Sequence, residues 1–248
     1  MSYRTYVINL ANAPERMAYI KGQLDLLDIP HERIDAVFGD DLQEPVDGYD
    51  EKKFHRFFGK RTNKRVIGCY FSHLNAFRAF LETDSAYALI LEDDATLPPD
   101  FKAIIDASMG FAEHWDLLRL SSFREGSFLV FGPLPGNREI GYNTSIVKNT
   151  AAYLINRKAA ECCVEKMLPM FLPYDIALDR EWRYGFKAAC VNPFPVTQRK
   201  EIESQIPRGT KIRKYRTFAK AYNMYNRIQR SRMRKRYYQS LQHSNPEG

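Results

Sequence analysis

The chain has little of what most ligand-binding signatures are built from. It has only four cysteines in 248 residues, Cys69, Cys162, Cys163 and Cys190. None stands at metal-ligand spacing and two are adjacent, so they read as buried apolar fillers in a reducing compartment. No apolar run approaches the roughly 20 residues that a membrane span needs. There is no glycine-rich loop of the P-loop or dinucleotide-binding spacing. The first residues, MSYRTYVINL, enter strand-like alternation at once and lack the long apolar stretch and cleavage site of a signal peptide, so a cytoplasmic protein is expected. Internal repeats and low-complexity tracts are missing too. What is present, 44% hydrophobic and 27% charged residues, suits a globular chain long enough to bury a substantial core.

Acids are missing from one region altogether. Between Arg208 and Arg236 stand twelve Lys or Arg and no Asp or Glu, out of 37 bases and 30 acids in the whole chain. The net charge of +7 therefore averages a mildly acidic body and a strongly basic tail. The expected organisation is a catalytic body over residues 1–207 and a basic amphipathic helical tail over 208–248.

Along the body, periodicity predicts strands and helices in alternation. Tyr3–Leu10 reads as a strand, followed by a helix to Leu27 that Asn12 caps and Pro14 opens. A strand is expected over 31–39, and over 41–64 a long loop with one short helix. VIGCYFSHLNAFRAFLETD predicts a buried helix with Cys69, Phe71, Leu74, Phe77 and Leu81 inward, and YALILEDD an apolar strand. A helix follows the double proline at 98–99. Strands are expected over 115–122 and 127–133, a strand running into a helix over 149–168, a helix over 173–185 and a closing strand over 186–198. Such alternation implies an α/β sandwich with a largely parallel sheet, whose ligands sit outside the carboxyl ends of the strands.

At such an end stand three consecutive acids, Glu92, Asp93 and Asp94. Neighbouring carboxylates repel one another and lose water near a core edge, and a divalent cation would compensate both effects. Glu92 and Asp94 are two apart and would share a strand face, while a turn after Asp93 would bring all three to one cleft. A solvated acidic turn capping the next helix is the competing explanation.

The blocks TYVINL…APER, IGCYFSHLNAF, YALILEDDATLPPDF and NTAAYLINRKAA, in this order over roughly residues 3–198, resemble glycosyltransferase family 25. That family holds bacterial lipopolysaccharide and lipooligosaccharide glycosyltransferases and is related to the collagen galactosyltransferases. The resemblance implies a GT-A-type, Rossmann-like sandwich, a nucleotide-sugar donor and inversion at the anomeric carbon. It also implies Mn2+ or Mg2+ held against the donor diphosphate by a D-x-D-like motif. Glu92-Asp93-Asp94 matches that motif, with Glu in place of the first Asp, and Asp94 and Glu92 are the expected metal ligands. Arg16 is expected to assist at the phosphates, Asn9 and Leu10 to line the nucleotide pocket, and Ser72 and His73 to shape the donor site.

For the base that takes the acceptor proton, PYDIALDREW offers Asp175 and Asp179, one helical turn apart. Asp175 is the expected base, and Asp179, beside Arg180, is more easily explained as half of a surface ion pair. Asn149 and Thr150 are candidates for sugar or acceptor contacts, or for turn formation.

In the tail, Ile212, Tyr215, Phe218, Tyr222, Tyr225 and Ile228 fall at three- and four-residue steps among Lys and Arg. The expectation is a helix on an anionic membrane surface through residues 208–238, with packing on the body second and nucleic acid unlikely. The leading functional expectation is therefore an inverting, metal-dependent transferase, UDP-galactose-dependent by resemblance, elongating a lipid-linked saccharide at the inner face of the cytoplasmic membrane. The alternative is a non-catalytic membrane- or nucleic-acid-binding module acting through its tail.

Overall fold

β1 (Tyr3–Asn9) buries its last five residues because it runs through the middle of a sheet. The structure, a computed structural model, describes residues 3–122, 126–199 and 211–244. After β1 come α1 (Pro14–Leu26), β2 (Glu32–Asp35), α2 (Glu51–Phe58), α3 (Lys64–Leu81), β3 (Tyr87–Glu92) and β4 (Ala95–Thr96). α4 (Phe101–Met109), β5 (Leu117–Arg119), β6 (Phe128–Leu134), β7 (Arg138–Asn143), β8 (Ala152–Asn156) and α5 (Arg157–Lys166) continue the chain. α6 (Tyr174–Leu178), α7 (Glu181–Tyr184), β9 (Ala188–Asn192), β10 (Thr197–Gln198) and α8 (Arg216–Ser244) complete it.

Eight strands form one sheet in the order β2-β1-β3-β8-β5-β9-β7-β6. β2, β1, β3, β5, β9 and β6 share one direction, whereas β8 and β7 are reversed. The sheet is thus mixed, with a predominant direction. Strand alternation assigns the two faces. Tyr6, Ile8, Ala88 and Ile90 pack beneath α3, α5 and α6, while Val7, Leu89 and Leu91 meet α1 and α4. Phe77, fully buried in the first layer, illustrates the scale: truncation to Ala would remove about 3–5 kcal/mol.

The structure revises several expected elements. α1 begins at Pro14 as expected, but its cap position is Ala13 and Asn12 makes no capping bond there. α3 buries Leu74 and Phe77 as expected, together with Tyr70, His73 and Phe80, whereas Cys69, Phe71 and Leu81 are only half-buried. The helix expected over 173–185 is two short ones, broken at Asp179–Arg180. The closing strand is divided at Pro193 and Pro195, rings that cannot donate to a ladder. β7 was not expected at all. It pairs with β6 through a turn at Gly136–Asn137, both with positive φ.

α8 folds back on the body and buries Ala219, Asn226, Arg230 and Arg234, against α2 at one end and β7 at the other. Its buried stripe differs from the expected apolar one. Tyr222 packs on Phe57, but Phe218, Tyr225 and Ile228 are exposed. The body–tail boundary drawn after residue 207 lies outside the described residues.

Candidate active site

The predominant strand direction points the carboxyl ends of β1, β2 and β3 toward one edge, and reversed β8 brings its N-terminal approach, Asn149–Ala151, to the same edge. A cavity of about 560 Å³ opens there, within the range of small-molecule sites. One wall is aromatic and apolar, from Phe38, Phe54 and Phe58, and the opposite wall carries Glu92, Asp93, Asp94 and Asp175. Lys60 and Arg61 stand on the α2–α3 connection and Arg65 in the first turn of α3.

The α3 wall depends on a close approach. A Cβ at Gly68 would lie 2.5 Å from the Val37 carbonyl oxygen, so only glycine lets the helix lie against segment 37–39. Ser72 seals this contact: its hydroxyl donates to Gly68 O at 2.7 Å and accepts from Val37 N at 2.8 Å.

Glu92 and Asp94 do not share a strand face; a turn instead brings all three acids to one cleft, the second of the two expected arrangements. β3 ends at Glu92 and a turn covers Asp93 and Asp94, so the pleat is lost there and each carboxylate takes its own partners. Glu92 faces inward, accepting from Thr150 Oγ1 at 2.7 Å and lying 3.3 Å from His73 Nε2. Burial pushes Glu92 upward, but His73, Thr150 and Arg16 outweigh it and hold its carboxyl below the ordinary range.

Asp93 accepts from Asn9 Nδ2 at 2.7 Å, and its other oxygen is paired with Arg16. Asp94 accepts from Gln198 Nε2 at 3.1 Å and lies 3.2 Å from the same Arg16 Nη2. Burial raises Asp93 despite these partners. Burial, then the charge of Glu92, pushes Asp94 up to about 6.

Every expected site residue except Asn9 and Asp179 lines the cavity. Asn9 is buried one layer behind Asp93, where it also donates to Ala13 O and accepts from Arg33 Nε at 3.0 Å. Asp179 leaves the candidate set. It is buried away from the cavity, paired with Arg230 and Arg234, rather than being half of a surface pair with Arg180. Asp175 enters the cavity from the first turn of α6, and burial raises its pKa although Arg119 and Lys148 oppose the shift.

His73 is a structural hub. Its ring stacks on Tyr174 at 3.9 Å and its Nδ1 meets Tyr153 Oη at 2.9 Å, while Tyr153 and Tyr174 hydroxyls are 2.8 Å apart. Asn149, at φ 90°, accepts from Ala151 N at 2.7 Å and donates to Gln198 Oε1 at 3.2 Å. Thus Asn149 is a turn former that also buttresses Gln198.

Sequence reading missed Gln198 and Arg119. β10 pairs antiparallel with β4, which sets Gln198 beside Asp94 across 104 residues of chain. Arg119, buried, donates to the carbonyls of Val147 and Asn149 at 3.0 and 2.5 Å. Only Arg119 left a signal, a charge inside the apolar run LLRL.

The donor set can be tested for a hard divalent cation. No group of three or more His, Cys, Asp or Glu able to hold a metal occurs among the described residues. Two carboxylates, Asp93 and Asp94, nevertheless converge on one positive atom, Arg16 Nη2, and the buried Arg16 Nε–H has no hydrogen-bond partner. Two carboxylate oxygens with an anionic group completing the shell is how Mg2+ is held beside phosphates, so the residues fit a cation shared with a diphosphate. Asp93, rather than Glu92, is the companion of Asp94 in that fit.

An α/β sheet with a buried acidic turn and an aromatic-walled cleft at its carboxyl edge is the arrangement in which open α/β sheets place small-molecule sites. The family model "Glycosyltransferase family 25 (LPS biosynthesis protein)" matches residues 3–178, and the chain belongs to this family. Procollagen galactosyltransferase 1-A of Xenopus laevis is 28% identical over 188 residues, covering 68% of this chain and 30% of that protein. Inactive glycosyltransferase 25 family member 3 of Mus musculus is 27% identical over 202 residues, covering 74% and 33%. The chain thus spans about a third of the length of these relatives. A solved glycosyltransferase involved in glycosylation of the major capsid of PBCV-1 aligns at 13% identity and a TM-score of 0.32, covering 64% of this chain and 63% of that one.

Proposed function

We propose that this chain is an inverting, cation-assisted glycosyltransferase. In this reading it moves a hexose, with galactose the leading candidate, from a UDP-sugar to a lipopolysaccharide or lipooligosaccharide acceptor. Family membership supports glycosyl transfer, and the family description and the galactosyltransferase relatives motivate the finer choices. The observation that carries the reading is the convergence of Asp93 and Asp94 on Arg16 in the same cavity as Asp175.

Asp93 and Asp94 would hold Mn2+ or Mg2+, which when bound supplies Lewis-acid stabilisation of the charge developing on the leaving diphosphate. Arg16, with a donor to spare, orients the phosphates and adds positive charge. Asn9 and Gln198 fix the rotamers of the two aspartates from opposite sides. Glu92, locked by His73 and Thr150, serves as a buttress between α3 and the segment before β8. Asp175 takes the proton from the acceptor hydroxyl as that oxygen attacks the anomeric carbon. Its pKa, raised by burial, makes it a stronger base than an exposed carboxylate.

No helix among the described residues is long and apolar enough to cross a membrane. The outer face of α8 exposes Met224, Tyr225 and Ile228 beside Lys220, Arg227, Arg232, Lys235 and Arg236. We assign this face to an anionic leaflet on the cytoplasmic side, where a lipid-linked acceptor is presented.

The deciding measurement is thermal stabilisation and donor hydrolysis with a panel of UDP-sugars, with and without Mn2+. Cation-dependent stabilisation by UDP-galactose, with slow release of galactose, is expected. Absence of any cation-dependent nucleotide effect in folded protein would defeat the reading in favour of a non-catalytic binding module.

A further inference from the structure

The last helix reaches into the core with charge. Arg234, 1% exposed, donates through Nε and Nη2 to both carboxylate oxygens of Glu181, at 2.6 and 2.9 Å. Its Nη2 also donates to Asp179 Oδ1 at 2.9 Å, and its Nη1 to the carbonyls of Asn143 and Ser145 at 2.5 and 3.0 Å. Arg230 donates to Asp179 Oδ2 at 2.9 Å. Two acids and two guanidinium groups, all at most 5% exposed, thus form a charge-balanced quartet. None of the four belongs to the span that the family model matches, which ends at Leu178.

The quartet grips both segments that flank the cleft. Asp179 closes α6: its backbone N–H donates to the Asp175 carbonyl at 3.2 Å, so the two aspartates are tied through one helical turn. The same Asp179 carboxylate accepts from Val147 N at 3.2 Å. That anchors the segment leading to Thr150, which Arg119 holds from the other side. Pulling on Arg234 therefore moves the platform beneath Asp175 and the strand approach beneath Thr150 together.

We propose that Arg234, assisted by Arg230, is a positioning residue for the reaction: through Asp179 and Glu181 it sets the place and the electrostatic surroundings of Asp175. The proposal rests on Asp175 being the base. Arg119 on β5, Lys148 in the segment before β8 and Asp179 on its own helix act on Asp175, and Glu92, Asp93 and Asp94 share its wall of the cavity. Asp179 is the acid among them that belongs to the quartet, where its charge is offset by Arg230 and Arg234. Removing one guanidinium uncovers that charge and makes the Asp175 carboxylate harder to form. Removing the Asp179 charge does the reverse.

The test uses the full chain, with melting curves, kcat at saturating donor and cation, KM, and the pH profile of kcat. Arg230→Gln, which keeps Arg234 in place, should lower kcat roughly 10-fold with little change in donor KM. It should also move the acid limb of kcat upward by roughly half a pH unit. Asp179→Asn should move that limb downward, and the Arg230→Gln/Asp179→Asn pair should return it toward the wild-type position. Folded variants whose acid limb stays in place would overturn the proposal. Were Arg230→Gln not to fold, Asp179→Asn and the double variant read the same coupling. Asp175→Asn separates the two levels: if it retains wild-type kcat, the base assignment has failed. If it is inactive while the quartet variants titrate like wild type, only the positioning role has failed.

Discussion

Two groups of buried acids lie in this molecule, and their surroundings differ in one respect. At the edge of the sheet, Asp93 and Asp94 pair with Arg16, while Glu92 is held by His73 and Thr150 and Gln198 donates to Asp94. Beneath α8, Asp179 and Glu181 meet two guanidinium groups and two backbone carbonyls that saturate the arginines. Among the ion pairs of the described residues, the first group sets one guanidinium against two aspartates and the second sets two against two acids. Residue type alone therefore does not separate a reactive carboxylate from a structural one. The count of permanent counter-charges within bonding distance does.

The sharpest way to break this comparison is Asp94→Asn. Transfer should be lost while the melting temperature stays level or rises at neutral pH. The sign follows from the raised pKa: a carboxyl whose folded value is about 6, above its ordinary 3.8, opposes folding once ionised, and Asn removes that opposition. A large drop in melting temperature would show that Asp94 is structural after all. Arg234→Met should give the opposite pattern. Leaving Asp179 and Glu181 buried beside one cation costs about 3–5 kcal/mol, read as a lower denaturation midpoint at constant m-value. Loss of less than about 1 kcal/mol would mean that the quartet is dispensable. Thr150→Val falls between the two: one charge-assisted hydrogen bond to Glu92 disappears, at about 1.5–3 kcal/mol. Smallest is Lys21→Ala, which cuts an exposed i,i+4 pair with Asp25 and should change stability by no more than about 0.5 kcal/mol.

The same contrast explains what could be read in advance. The apolar run in YALILE and the placement of acids at its end need only local spacing, and both were legible. So were Asp175 at the start of a helix and Arg16 just after the first strand. Gln198 was not, because its place beside Asp94 is decided by a two-residue ribbon closing over 104 residues. The face of α8 was misjudged for a physical reason. Hydrophobic periodicity reports apolar burial, whereas this helix buries Asn226, Arg230 and Arg234, and an ion quartet leaves no apolar stripe. β7, REIGYN, escaped because a strand with Arg, Glu and Asn resembles a loop until β9 and β6 claim its two edges.

The Gly68 contact limits how the pocket can be re-engineered. With bare backbone meeting backbone at Gly68, α3 has no slack to shift against segment 37–39. Any effort to admit a bulkier sugar or base must carve the aromatic side instead, at Phe38, Phe54 or Phe58, where there is volume to give up.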